Sequence, residues 1–411
     1  MEKGETRVNK IVIGVSVVAA AATAFATSAH AQGAPARDIS ISASVRAEHQ
    51  SNAAHASAAQ AAVAGITRSD QMIAPNVSVN VALPFGAHSF SLSGTASYSF
   101  HRRNKQRDRE TMNFSSGLAM RLPVCDPTFS ASLSRRLSDL GDIVTSPGAN
   151  PITVENVETV KAFGANVACG KDFGLRPTFG IDYQEGRNDE PTRKFRDRNV
   201  TSYTAGLGYV HPSIADLLIF AQQRDTRHPN SLLPDGRENG NRQRSVGASF
   251  SRDIGSRLKG SVEVTYAELK ARQAGVRPFT GLNWKADLSA QATSRMMVNA
   301  SVSRSTSSSL AIDANYHVNT AYNLGVSYVV TPLINLQGGF SYTRRRFEGV
   351  DPAALQLLTS DRRATVNGGI SYQFSPKLLF SIDAAHERRS GNGTFFDYTN
   401  NRFGLNVSLA L

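Results

Sequence analysis

The residues best equipped for chemistry are scattered rather than gathered. His88, His101, His211, His228, His317 and His386 stand among many serines. A hydrolase would need one of them beside a nucleophile and an orienting acid. No spacing selects such a trio, and no Cys, His, Asp or Glu run has the spacing of a metal site. The expectation is a protein that is not an enzyme, with no cofactor and no metal. Arginine is different, because it comes in blocks: HRRNKQRDRE from His101, EPTRKFRDRN from Glu190 and YTRRR from Tyr342. Guanidinium groups bind phosphates and carboxylates, so these blocks point to anions as ligands, permeants or neighbours. The two cysteines, Cys125 and Cys169, are too few for a disulfide scaffold.

What positions these groups begins with the compartment. Lys3, Arg7 and Lys10 precede an alanine-rich apolar run from Ile11 to about Ala26, and Ala29-His30-Ala31 is a small-x-small cleavage site. Residues 1–31 therefore read as a secretory signal peptide, and residues 32–411 as the mature chain. The 411-residue chain has a formal net charge of +12, and losing the leader barely changes that balance. No later stretch approaches the ~18 uninterrupted apolar residues of a spanning helix. A long exported chain of this kind is either a soluble secreted protein or an outer-membrane barrel.

Two near-repeats decide between them. GVSYVVTPLINLQGGFSYTRRR begins at Gly325 and GISYQFSPKLLFSIDAAHERR at Gly369. In the first, Val326, Tyr328 and Val330, then Ile334, Leu336, Phe340 and Tyr342, alternate with Ser327, Asn335, Gln337 and Ser341. Period two makes one face apolar and the other polar. The Ser/Thr-Pro between the runs suits a tight turn, so each copy reads as a β-hairpin. The same alternation recurs from Ile39 to Leu411, with less regular stretches at 157–169 and 216–224. It gives about 18 strands of the length that crosses a bilayer.

The connections alternate too. Short turns fall at 84–87, 253–256, 293–295, 331–332 and 375–377. Long polar links fall at 48–72, 101–110, 138–156, 185–199, 225–243, 306–315, 344–361 and 387–398. Short periplasmic turns and long outer loops belong to an outer-membrane barrel, and tyrosines near the strand ends suit its interfaces. A β-sandwich would rarely sustain this asymmetry. The expected fold is all-β: a transmembrane antiparallel up-and-down β-barrel of about 18 strands, with nothing before or after it. Its partners would be outer-membrane lipid, lipopolysaccharide and the barrel-assembly machinery, and no nucleic acid.

On this register the inward basic positions are Arg46, Arg109, Arg121, Arg136, Lys259, Lys285, Arg345, Arg363 and Arg402, in a mixed lumen with a basic excess. A ring of cations in a narrow path draws anions, while basic outer loops also suit lipopolysaccharide phosphates. An alanine-rich stretch from Ser51 and another at 352–358 could each form a short helix, folded inward as a gate or capping a loop. Cys125 and Cys169 fall on adjacent periplasmic connections. They are either a disulfide or two unpaired thiols.

The last strand, with Arg402, Gly404, Val407, Leu409 and a terminal Leu411, resembles the insertion signal of outer-membrane proteins, although that signal usually ends on an aromatic residue. With the GVSYVVTP and GISYQFSP hairpins and the arginine-rich loops, the mature chain resembles the putative beta-barrel porin 2 group. That resemblance implies an 18-stranded barrel serving exopolysaccharide export with a periplasmic polysaccharide-export protein. It is similar in design to alginate-export barrels with arginine-rich lumens. The expectation is thus a channel for an exopolysaccharide, an acidic one on the strength of the arginines. The alternatives are a general or anion-selective diffusion porin, or a structural or adhesive barrel.

Overall fold

The computed structural model describes residues 37–137, 156–211, 215–308, 314–350, 358–392 and 396–411. The leader at 1–31, most of the link at 138–156 and nearly all of the candidate helix at 352–358 lie outside the described residues.

Alternation along the chain becomes strands β1 (Asp38–Gln50), β2 (Asp70–Phe85), β3 (His88–His101), β4 (Arg109–Ala119), β5 (Cys125–Leu137) and β6 (Val157–Cys169). These lead into β7 (Gly174–Asn188), β8 (Arg198–His211), β9 (Ala215–Leu232), β10 (Glu238–Ile254), β11 (Leu258–Ala271) and β12 (Phe279–Gln291). The last six are β13 (Met296–Ser308), β14 (Ala314–Thr331), β15 (Ile334–Val350), β16 (Ser360–Ser375), β17 (Leu378–Gly391) and β18 (Tyr398–Ala410). All belong to one 18-stranded sheet of sequential antiparallel neighbours, and β18 pairs back onto β1. Closure leaves no edge, which the hydrocarbon demands because water is absent there to satisfy a free N–H.

The wall itself takes the place of a core. Large apolar side chains such as Ile41, Phe179, Ile219, Val246, Tyr266 and Phe403 are exposed on the outer face, where lipid covers them. Their neighbours in sequence, mostly Ser, Thr, Asn and Gly, face the lumen. The turns follow local chemistry. Gly86 and Gly255 take φ of +61° and +63° in the β2–β3 and β10–β11 turns, a conformation glycine adopts without a Cβ clash. At the Thr331-Pro332 turn the Thr331 hydroxyl accepts hydrogen bonds from the Leu333 and Ile334 amides at 3.3 and 3.1 Å. In the first copy of the repeat, Thr331 is therefore the residue that closes the turn.

One reading of the sequence is completed and one corrected. The less regular strands at 157–169 and 216–224 are β6 and half of β9, in continuous register. The long outer links are shorter than the apolar pattern suggests. β9 runs on to Leu232 and β10 starts at Glu238, β15 reaches Val350, and β17 reaches Gly391. Above the bilayer both faces meet water, so the apolar alternation stops while the backbone ladder continues.

Candidate pore and its charged lining

Register fixes which side chains face the lumen. On β1, outward Ile41 and Val45 leave Arg46 and Glu48 inward, and on β18, outward Phe403 and Leu405 leave Arg402 and Gly404 inward. Gly404 lies between Glu48 on β1 and Asp383 on β17. Arg46 reaches across it, donating to both Asp383 carboxylate oxygens at 2.7 and 2.9 Å and to Glu48 at 2.7 and 2.9 Å. A Cβ on residue 404 would collide with the Arg46 guanidinium. The glycine is the floor over which the first strand is tied to the seventeenth. Arg402 stands 3.7 Å from the same Glu48.

Most of the other predicted cations also meet carboxylates. Arg345 holds Asp361 at 2.6 Å, and the buried Arg389 shares that acid at 2.6 Å. Arg136 meets Glu158 at 3.2 Å, and Arg198 donates to the same carboxylate. Lys285 pairs with Asp287 and Lys259 with Asp253, each at 2.9 Å. Arg363 lies within electrostatic reach of Glu387. Arg109, at the outer start of β4, donates to the Asp108 carbonyl at 2.6 Å. Arg121 is a correction: β4 ends at Ala119, so this residue sits past the wall at the periplasmic rim. In place of the expected basic excess the inward cations are interspersed with acids, and most pair with a carboxylate on the same or a neighbouring strand. Arg198, Arg389 and Asp361 were missed as pore residues because they lie on strand ends that an apolar pattern cannot extend to, although their parity places them inward.

The outer mouth is partly filled by residues 51–69. Helix α1 (Ala58–Val63) is capped by Ser57 and Gln60, each bonding the other's amide. Ahead of it, Asn52 is fully buried: its amide donates to Asn400 at 2.9 Å, and its side chain donates to the Thr399 and Ala56 carbonyls. His55 adopts φ +47° and places Nδ1 3.2 Å from Glu387, with its ring edge-on to Tyr398. Glu387, Tyr398 and Asn400 share the inward parity of Arg402, so this loop lies against the lumen face of β17 and β18. A neighbouring loop holds it there: Asn104 bonds Thr67 and Asp70, and Arg107 donates to the Ala53 carbonyl.

Further round the wall, β12 pairs with β13 only from Trp284–Arg304 downward. Above that level Tyr316 and Val318 of β14 pack against Ala267, Leu269 and Phe279, the inward residues of β11 and β12. Thr306 of β13 bridges the seam, donating to Asn283 Oδ1 on β12 at 3.0 Å. The outer end of the β13–β14 hairpin therefore tucks beneath its neighbours, toward the lumen.

At the periplasmic rim Cys125 and Cys169 are direct partners in the β5–β6 ladder, Cα atoms 3.9 Å apart, with the sulfurs joined. At the outer rim, beyond the membrane-spanning part of the strands, the turn over Pro191–Arg196 buries Arg193. Desolvation, with Arg196 nearby, lowers its pKa to about 10.

Among solved structures the chain is similar to OccK2 (OpdF) of Pseudomonas aeruginosa, at 12% identity and a TM-score of 0.46 over 91% of this chain and 98% of that one. OccK2 has also been crystallised in complex with glucuronate. A BenF-like porin of Pseudomonas fluorescens Pf-5 matches at 11% identity and 0.45, over 91% and 99%. No protein of curated function matches the chain. The family profile described as putative beta-barrel porin 2 matches residues 37–411, the whole of the barrel. The chain belongs to that family of Gram-negative outer-membrane β-barrels.

Proposed function

We propose that this barrel is a passive diffusion channel for small hydrophilic solutes, with a preference for anions set at its outer mouth. The observation that carries this reading is the lumen wall. Its charges are tied into Arg–carboxylate pairs, and β13–β16 between them present Asn299, Ser301, Asn323, Ser341 and Asn367. Such a surface offers many weak hydrogen bonds and no deep well, which permeation requires. The field at the mouth comes from Arg102, Arg103 and the basic turn near Lys194, whose exposed cations favour anion entry.

Planar-bilayer recording in a KCl gradient tests the reading. Steady conductance with a reversal potential on the anion side is expected, and Arg102→Glu with Arg103→Glu moves that potential toward cations. No conductance from folded protein overturns it.

A second reading keeps the same lumen but passes a polysaccharide chain outward, handed on by a periplasmic export protein. The unbroken neutral stripe on β13–β16 favours it, since sugar hydroxyls would slide along amide and hydroxyl groups. Conductance that is closed until residues 51–69 are removed, and then blocked by an acidic polysaccharide, would replace the first reading with this one.

A further inference from the structure

The lipid-facing wall carries a hollow that neither permeation nor closure uses. On β7–β11 two adjacent outward rows run side by side. One reads Phe179, Ala205, Ala221, Val246 and Tyr266; the other reads Ile181, Tyr203, Gln223, Arg244 and Glu268. The neighbouring alanines of β8 and β9 give a low floor between tall aromatic and aliphatic walls. The resulting cavity measures about 940 Å³, opens to the outside of the barrel and is lined almost wholly by apolar atoms.

Its outer edge is polar. Arg244 is exposed and donates to Gln223 at 3.3 Å. Adjacent Glu268 is neutralised by Lys270 at 2.8 Å, and Arg242 and Arg272 share the single carboxylate of Asp225. The rim therefore has more cations than anions, and Arg244 is bonded to a neutral amide. It stands in the same row as Tyr203 and one step outward of Tyr266, at the level where a bilayer changes from acyl chain to headgroup.

An apolar trough inside the hydrocarbon zone, ending on an outward arginine at the headgroup level, matches one molecule in both parts. We infer that the hollow is a binding site for a phosphate-bearing lipid of the outer leaflet. One acyl chain lies over Ala205 and Ala221, and the phosphate accepts hydrogen bonds from Arg244. A second barrel would fill the trough but leave the guanidinium facing a lipid-free seam, whereas free phosphate would have no use for the trough.

The test is native mass spectrometry of the full barrel in mild detergent, titrated with diphosphoryl lipid A, its dephosphorylated form and inorganic phosphate. The intact protein retains diphosphoryl lipid A. Arg244→Gln and Ala221→Trp each weaken retention about tenfold, the loss of one charge-assisted contact or of the seat for the chain. Arg244→Lys keeps most of the affinity. Val77→Trp, elsewhere on the lipid face, serves as a control and leaves it unchanged. Heat-modifiable migration on gels shows that each variant is folded. Equal retention by all variants, no retention by the intact protein, or phosphate competing alone overturns the site. A higher oligomer that Ala221→Trp dissolves while Arg244→Gln leaves it intact assigns the hollow to a second copy and equally overturns it.

Discussion

Gly404 shows how one missing Cβ organises a seam. Because the Arg46 guanidinium crosses directly over it, Gly404→Ala should displace the bridge to Asp383 and destabilise the barrel by about 1–3 kcal/mol, the scale of a broken part-buried charged contact. In an Arg46→Ala background the same change should cost much less, so a double-mutant cycle on urea unfolding reads the coupling directly. Additive effects would assign the glycine some other role. Arg193 presents the opposite case, a buried guanidinium with one nitrogen left without a hydrogen bond. A cation whose pKa falls on folding makes the native state less favourable below that pKa, and the cost disappears as pH rises through about 10 toward the ordinary arginine value. Arg193→Met should therefore raise stability at neutral pH, by about 1 kcal/mol or more. Destabilisation in the urea midpoint would mean that the charge is satisfied. Neither residue was distinguishable in the sequence. Gly404 reads there as part of an end signal, and the partner that explains it lies 337 residues from Asp383 along the chain at Arg46.

Strands were far more legible than their ends. Period-two apolar alternation reports where a strand touches lipid, so it located the crossings and missed the extensions above them in β9, β10, β15 and β17. Arg198, Arg389 and Asp361 also sit at outer strand ends beyond the apolar pattern, so the pairing of Arg198 with Glu158 and of Asp361 with Arg345 and Arg389 is hidden from the sequence. The alanine-rich loop was readable as a helix, but its inward docking depends on Asn400 and Glu387, from the far end of the chain. Deleting 57–66 should enlarge the mouth and raise single-channel conductance about twofold if this loop is the narrowest passage. Unchanged conductance would place the constriction at the β13–β14 tuck instead. For that tuck, Leu269→Ala should cost about 2–5 kcal/mol locally. Amide exchange should then quicken at the outer ends of β13 and β14, while β5 and β6 keep their protection. Uniform loss around the barrel would show that the cluster is not a local lock.

At the scale of the whole molecule, an edge-free, lipid-clad cylinder is legible in the period of the strands and the alternation of short and long links, because a bilayer permits so few alternatives. What passes through it did not follow, since permeation depends on paired charges from strands remote in sequence. The even strand number has a further result. β1 begins and β18 ends on the same rim as the short turns, where the Leu411 amide donates to the Ile41 carbonyl at 2.9 Å. Any peptide fused ahead of Asp38 or behind Leu411 emerges on the periplasmic side, beside the opposite terminus. A protease or antibody added to intact cells can report only on the loops, and a reporter tethered to either end surveys the inner mouth of the pore.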